Sequence, residues 1–195
     1  MTFKFPKEDV SKFVKESYKE MYNMPGLKKF SKHLPIHSSI LDLGCGGGQD
    51  ALFFAKHNHQ VIGIDTTAEI IKIAKNKAKH PNITFKTSSF EKFSTKEKFD
   101  GIWCAKVFHF IPIKNQIAFI KKVYAHLKPG GIFYLTSKTS DKRKDYELPD
   151  GQNGSLRKRL TKKTFETILR KNGFRIIHFK YWKNKIGMEI IAKRN

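Results

Sequence analysis

The chain has 195 residues, with 39 basic against 17 acidic side chains and a formal net charge of +22. That length suits one domain, since domains run roughly 100–200 residues. No apolar run approaches the ~18 residues of a membrane span. The charged opening MTFKFPKEDV lacks the apolar core of a signal peptide. Cys45 and Cys104 are too few for a disulfide scaffold and lack metal-site spacing, so a cytoplasmic protein without a bound metal or a membrane partner is expected.

The charge raises nucleic acid as a partner, because clustered cations release counterions on binding phosphate. Against that, 33 of the bases are Lys and 6 are Arg, and Arg is the residue suited to bidentate phosphate contacts. The excess is also spread out: residues 70–90, 101–140 and 167–188 contain no acid and five or six bases each. A solvated Lys-rich surface is favoured, with nucleic acid kept as a less favoured partner.

Residues 6–23 carry Val10, Phe13, Val14, Tyr18, Met21 and Tyr22 near helical spacing, which predicts an amphipathic helix. Pro25-Gly26 punctuates, and a short helix is expected over 27–34 before Pro35. A regular alternation follows: strand Ser39–Leu43, a glycine loop, a helix over 50–56, and a strand over 61–64. A helix capped by Thr66 or Thr67 runs on to Lys79. Strands are predicted at 83–86 and Phe99–Cys104, a helix at 115–127, and a strand at 132–135. Lys162–Lys171 reads as a helix closed by Asn172-Gly173. Phe174–Tyr181 and 188–192 read as a terminal hairpin turning at 184–187. Alternating strands and helices imply an α/β fold with a mostly parallel sheet covered on both faces. Ligands then bind beyond the carboxyl ends of the strands.

The informative stretch is Ile40-Leu41-Asp42-Leu43-Gly44-Cys45-Gly46-Gly47-Gly48-Gln49-Asp50. Glycines allow a sharp turn and close approach to a ligand, and the helix that follows aims its first amides there. Asp65 ends the next strand, 19 residues after Gly46, where an acid can accept both hydroxyls of a ribose. The segment also satisfies a dinucleotide pattern, so the glycines leave a nicotinamide enzyme open. Asp42 tips the choice: a pyrophosphate would be repelled there, whereas a ligand with a cationic amino-acid end would be welcomed.

Leu41-Asp42-Leu43-Gly44-Cys45-Gly46-Gly47-Gly48 resembles motif I of the class I, Rossmann-like methyltransferases that use S-adenosylmethionine. Phe99-Asp100-Gly101-Ile102-Trp103 resembles their fourth strand, and Leu127-Lys128-Pro129-Gly130-Gly131 their turn before strand five. The chain is also loosely similar to the tellurite-resistance type. The resemblance covers roughly residues 13–192. It implies a doubly wound seven-stranded sheet in the order 3-2-1-4-5-7-6, strand seven antiparallel. It implies S-adenosylmethionine as cofactor, with Asp42, Gly44 and Gly46 holding the methionine end within the loop that includes Cys45 and Gly48. Asp65 would hold the ribose and Thr66 would flank the adenine. Ser89 and Phe90 fall where the family often has an acid for the adenine amine; this chain departs from the family there. Cys104 and Ala105 would lie beside the sulfonium.

Methyl transfer needs alignment of the acceptor and sometimes a base. Lys106 and His109 are the candidate catalytic residues, His109 as a base near neutral pH. His57 and His59, flanking Asn58, are read as surface residues. One methyltransferase domain is expected over 1–195, with 1–34 as a helical lid and 137–163 as an insert over the substrate pocket. Tyr18, Tyr22, Tyr146, Arg157 and Arg159 are its candidate substrate contacts. The implied activity is methyl transfer to a small molecule. RNA methylation and non-catalytic binding of S-adenosylmethionine are the alternatives. Cys104-Ala105-Lys106-Val107 lacks the Asn/Asp-Pro-Pro-aromatic signature of amino-group methylation of nucleic acid.

Overall fold

Apolar runs bounded by glycine, asparagine and proline become the strands of one sheet. The computed structural model describes residues 10, 12, 14, 15, 25–138, 146–149, 156–182 and 187–195. Its contacts divide the chain into two compact units, Met1–Trp103 and Cys104–Asn195.

In the first unit, α1 (Pro25–Ser31) leads to β1 (Ser39–Leu43), α2 (Gln49–Lys56), β2 (Gln60–Asp65), α3 (Ala68–Lys77), β3 (Ile83–Thr87) and β4 (Phe99–Cys104). Pro25 is the first residue of α1 rather than a break before it; its missing amide is no loss there. β1 pairs in parallel with β2, Leu41 opposite Ile62, and with β4, Leu41 opposite Ile102. Flanked on both edges, its Ile40, Leu41 and Leu43 are buried, as continuous apolar parallel strands require. Asp42 is the one acid in that strand. Phe30, Phe54 and Trp103 form an aromatic cluster with centroids 5.3–5.5 Å apart. Val10 and Val14, four apart and helical, are buried; Phe13, Tyr18, Met21 and Tyr22 lie outside the described residues.

The second unit holds a short 3₁₀ turn (Phe108–Phe110), α4 (Ile113–His126), β5 (Leu127–Lys138), the hairpin β6 (Tyr146–Pro149) and β7 (Leu156–Arg159), α5 (Lys162–Lys171), β8 (Phe174–Tyr181) and β9 (Gly187–Arg194). β9 runs antiparallel to β5 and to β8. Thr161 caps α5, its hydroxyl accepting the Thr164 amide at 3.2 Å. Tyr124, Phe174 and Phe133 pack edge to face and tilted, 5.3 and 5.7 Å apart. The buried Glu189 joins three strands: the Tyr134 hydroxyl donates to it at 3.1 Å, and His178 Nε2 lies 2.9 Å away.

Across the sheet the strands run β3-β2-β1-β4-β5-β9-β8. With the β6–β7 hairpin set aside, this is the expected order 3-2-1-4-5-7-6 with the seventh strand antiparallel. β5 is longer than the apolar count suggested, because its first part, Lys128 to Gly130, is exposed yet extended. Among the described residues no helix is long and apolar enough to cross a membrane.

Candidate functional site

The site begins where β1 ends. The chain must reverse from strand to helix within five residues, and Gly44, Gly46 and Gly48 take φ of 70°, 51° and 84° to do so. Positive φ there excludes most side chains. At Gly48 there is also no room, since an added Cβ would lie 2.6 Å from Phe85 and 2.9 Å from Ala78. The amides of Gly44 and Cys45 both donate to the Ile64 carbonyl, at 2.8 and 3.0 Å, clamping the loop to the end of β2.

Asp65 closes the other side. Its Oδ2 accepts the Gly46 amide at 3.2 Å and its Oδ1 the Thr67 amide at 3.0 Å. Each carboxylate oxygen can accept a further hydrogen bond. Burial raises its pKa, while those amides oppose the rise. The Ser88 amide donates to the Asp65 carbonyl at 2.8 Å, which brings the loop after β3 to the same place. There the Ser89 hydroxyl accepts the Lys92 amide at 3.3 Å, and Phe90 is buried. Thr66 is half-buried between Asp65 and the first turn of α3.

Asp42 is 2% exposed, and its Oδ2 has no hydrogen-bond partner among the described residues. Burial first, then the negative charges of Asp50 and Asp65, hold its carboxyl well above the ordinary range. A buried polar atom left unsatisfied among the described residues is costly, which makes it a candidate contact for a ligand. Three acids around one loop, in a protein of charge +22, suit the cationic amino-acid end of S-adenosylmethionine and repel a pyrophosphate. Asp50, in the first turn of α2, accepts the Trp103 indole N–H at 2.8 Å. Cys45 is buried; desolvation, then Asp42 and Asp65, push its thiol pKa up, so its backbone matters more than its sulfur.

In the second unit, Cys104 is buried at the end of β4 and Ala105 is half-buried. Lys106 is exposed and takes φ of 61°; its amide donates to the buried Thr136 hydroxyl at 2.8 Å. His109 is buried in the 3₁₀ turn, its ring 4.3 Å from that of Phe110. Tyr146, Arg157 and Arg159 are on the β6–β7 hairpin; Tyr18 and Tyr22 lie outside the described residues.

Sequence reasoning gave no role to Asp50, Thr136 or Glu189, whereas Thr67, expected as a cap, is the N-cap residue of α3. Glu189 carried a signal, as a lone acid in the apolar run Met188-Glu189-Ile190-Ile191. His59 is a correction. It is buried, and its Nδ1 accepts the Ser38 amide at 3.1 Å, with burial pushing its pKa down. It serves to hold the entry to β1, whereas His57 stays exposed on the Phe53 carbonyl.

Residues 40–131 match the family model described as a methyltransferase domain. The ubiquinone biosynthesis O-methyltransferase of Coxiella burnetii is 34% identical over 102 residues, 50% of this chain and 42% of that protein. The 2-heptyl-1-hydroxyquinolin-4(1H)-one methyltransferase of Mycobacteroides abscessus is 26% identical over 115 residues, 57% and 51% of the two chains. The chain thus spans about half the length of the curated relatives it matches. In fold, it is similar to the 1,6-didemethyltoxoflavin-N1-methyltransferase of Burkholderia thailandensis, solved with 1,6-didemethyltoxoflavin and S-adenosylhomocysteine. That match has a TM-score of 0.75 and 17% identity, and covers 100% of this chain and 92% of that one. These relatives lend no support to the narrower likeness to the tellurite-resistance type.

Proposed function

The chain has the fold of the class I, Rossmann-like methyltransferases that use S-adenosylmethionine, and from that premise we propose that it moves a methyl group from this cofactor to a small-molecule acceptor. The observation that carries the reading is the buried Asp42 carboxylate, one oxygen unpartnered, beside the glycine loop and Asp65. The names of the relatives, a ubiquinone biosynthesis O-methyltransferase and a 2-heptyl-1-hydroxyquinolin-4(1H)-one methyltransferase, support a small acceptor.

Each residue has a part in this. Asp42 receives the ammonium of the methionine end; Gly44, Cys45, Gly46 and Gly48 bring backbone close to it. Asp65 accepts the ribose hydroxyls, and Thr66, Ser89 and Phe90 frame the adenine. Bound there, S-adenosylmethionine supplies a methyl group activated by the sulfonium. An acceptor's lone pair would take the methyl group from it, and His109 or water would take the acceptor's proton. Cys104 and Ala105 shape the strand end where alignment is set, and alignment is the larger share of such catalysis. Both cysteines are buried free thiols, in keeping with a reducing cytoplasm.

Thermal unfolding with S-adenosylhomocysteine or NAD tests the cofactor. At ~100 times its Kd a ligand adds about 2.7 kcal/mol, or roughly 5–10 °C for a chain this long. A shift with NAD alone overturns the proposal. The charge of +22 keeps a second reading, methylation of RNA. Micromolar RNA affinity with a steep salt slope at physiological ionic strength favours it.

A further inference from the structure

We propose that the cavity between the end of α3 and the edge strand β3 binds a small phosphate monoester, with Lys75, Lys79, His80 and Thr84 around the phosphate and Ala78, Ile83 and Phe85 beneath its organic part. The site uses none of the residues assigned to S-adenosylmethionine, so its failure would leave the methyltransferase reading untouched.

The cavity has a volume of about 290 Å³, at the lower end of the ~300–1,000 Å³ of small-molecule sites. Its charge is one-sided. Lys75 and Lys79 line the same small space, and residues 70–90 contain no acid. Among the described residues neither lysine makes an ion pair. Like charges around one cavity repel, and an anion between them turns that repulsion into attraction. The carbonyl end of α3, where Lys75 sits, carries roughly half a negative charge, which two ammonium groups outweigh. Both lysines are exposed, so their stems line the wall while their charged ends stay at the rim in water. A dianion gains most from such a pair, and a phosphate monoester carries about −1.5 to −2 at neutral pH.

The neutral donors add direction. His80 Nδ1 accepts the Asn82 amide at 3.2 Å. In the neutral ring that places the N–H on Nε2, a donor for a phosphate oxygen. Thr84 adds a hydroxyl. The floor is preformed. A Cβ added at Gly48 would lie 2.6 Å from Phe85 Cζ and 2.9 Å from Ala78 Cβ, and one at Gly63 would lie 2.8 Å from Phe85 Cδ1. The buried Phe85 ring is wedged against two glycines, and Ala78 is buried beside it. A floor already fixed spares a ligand the cost of ordering it.

Calorimetry on the full chain at physiological ionic strength, with phenyl phosphate as the probe, tests this. Binding should be submillimolar and about fivefold tighter than that of inorganic phosphate, because the ring covers the apolar floor. Lys75→Ala and Lys79→Ala should each weaken it about three- to tenfold, and together more than either alone. Both lie on the surface, so neither threatens the fold. Thr84→Trp keeps every charge and fills the space; it should abolish binding while its melting temperature stays near that of the wild type. Lys121→Ala, on α4 and outside the cavity, should bind as the wild type does. No binding of phenyl phosphate by the wild type overturns the proposal. So does a loss in Lys121→Ala equal to that in Lys75→Ala, or full binding by a folded Thr84→Trp chain, since either would mean diffuse charge rather than a cavity. Binding of a short RNA oligonucleotide without binding of phenyl phosphate overturns it in favour of a nucleic-acid backbone on the same lysines.

Discussion

The loop after β1 gathers carboxylates, and the segment after β4 has none. Asp42, Asp50 and Asp65 stand close enough to raise the pKa of Asp42 in a chain with 17 acids among 195 residues. Residues 101–140 have six lysines and no acid. The difference is one of burial as well as sign. Asp65 is held by two amides and Asp50 by an indole N–H, while Asp42 is buried within reach of both charges. Lys106 is exposed, and its amide is held by the buried Thr136 hydroxyl. A dehydrated anion meets a cationic ligand end more strongly than a solvated one.

The sharpest way to break that contrast is Asp65→Ala. Losing a carboxylate that can accept two ribose hydroxyls should weaken S-adenosylhomocysteine about 100-fold, near 2.7 kcal/mol, measured by calorimetry. Unchanged affinity would overturn the ribose assignment. Gly48→Ala keeps every charge and alters only the space: with a Cβ 2.6 Å from Phe85 and φ of 84°, it should cost about 2–3 kcal/mol in denaturant unfolding.

Asp42→Asn tests the acid loop from the other direction. Burial, Asp50 and Asp65 raise the folded pKa of Asp42 above the ordinary 3.8, so the folded chain holds this proton more tightly than the unfolded one. The stability it confers is complete at low pH and is lost as pH rises from that value through the folded pKa. Asparagine removes the loss. At neutral pH the ligand-free variant should be more stable by about 1 kcal/mol, or 2–4 °C, while binding S-adenosylhomocysteine at least tenfold more weakly. A variant that is less stable and binds equally well would show that Asp42 serves packing alone. The smallest effect belongs to the basic segment: Lys121→Glu, on an exposed face of α4, should stay within about 0.5 kcal/mol of wild type.

What could be read from the residues alone follows the physics of each region. β1, β2 and β4 are largely buried, with apolar centres, so their bounds lie within a residue of the expected ones. β5 was half legible, because Lys128, Pro129 and Gly130 are extended without any hydrophobic signature. The glycine loop, Asp42 and Asp65 were legible through spacing, which is local. Thr136 and the Asp50–Trp103 pair were not: their meaning lies in partners 30 and 53 residues away, and a threonine in a strand ordinarily signals only β-propensity. His59 misled for the same reason. Its polar neighbours suggested solvent, and its partner, Ser38, is 21 residues back.

The Trp103–Asp50 hydrogen bond also makes the molecule its own optical gauge. The chain has two tryptophans. Trp103 is fully buried, and its indole N–H donates to the carboxylate in the first turn of α2, the helix that opens at the glycine loop. Indole emission depends on the field along its ring, and a cation settling among Asp42, Asp50 and Asp65 changes that field. Replacing Trp182 by phenylalanine leaves one tryptophan, so the colour of its light, excited selectively over the tyrosines, becomes a label-free meter of how full the loop is.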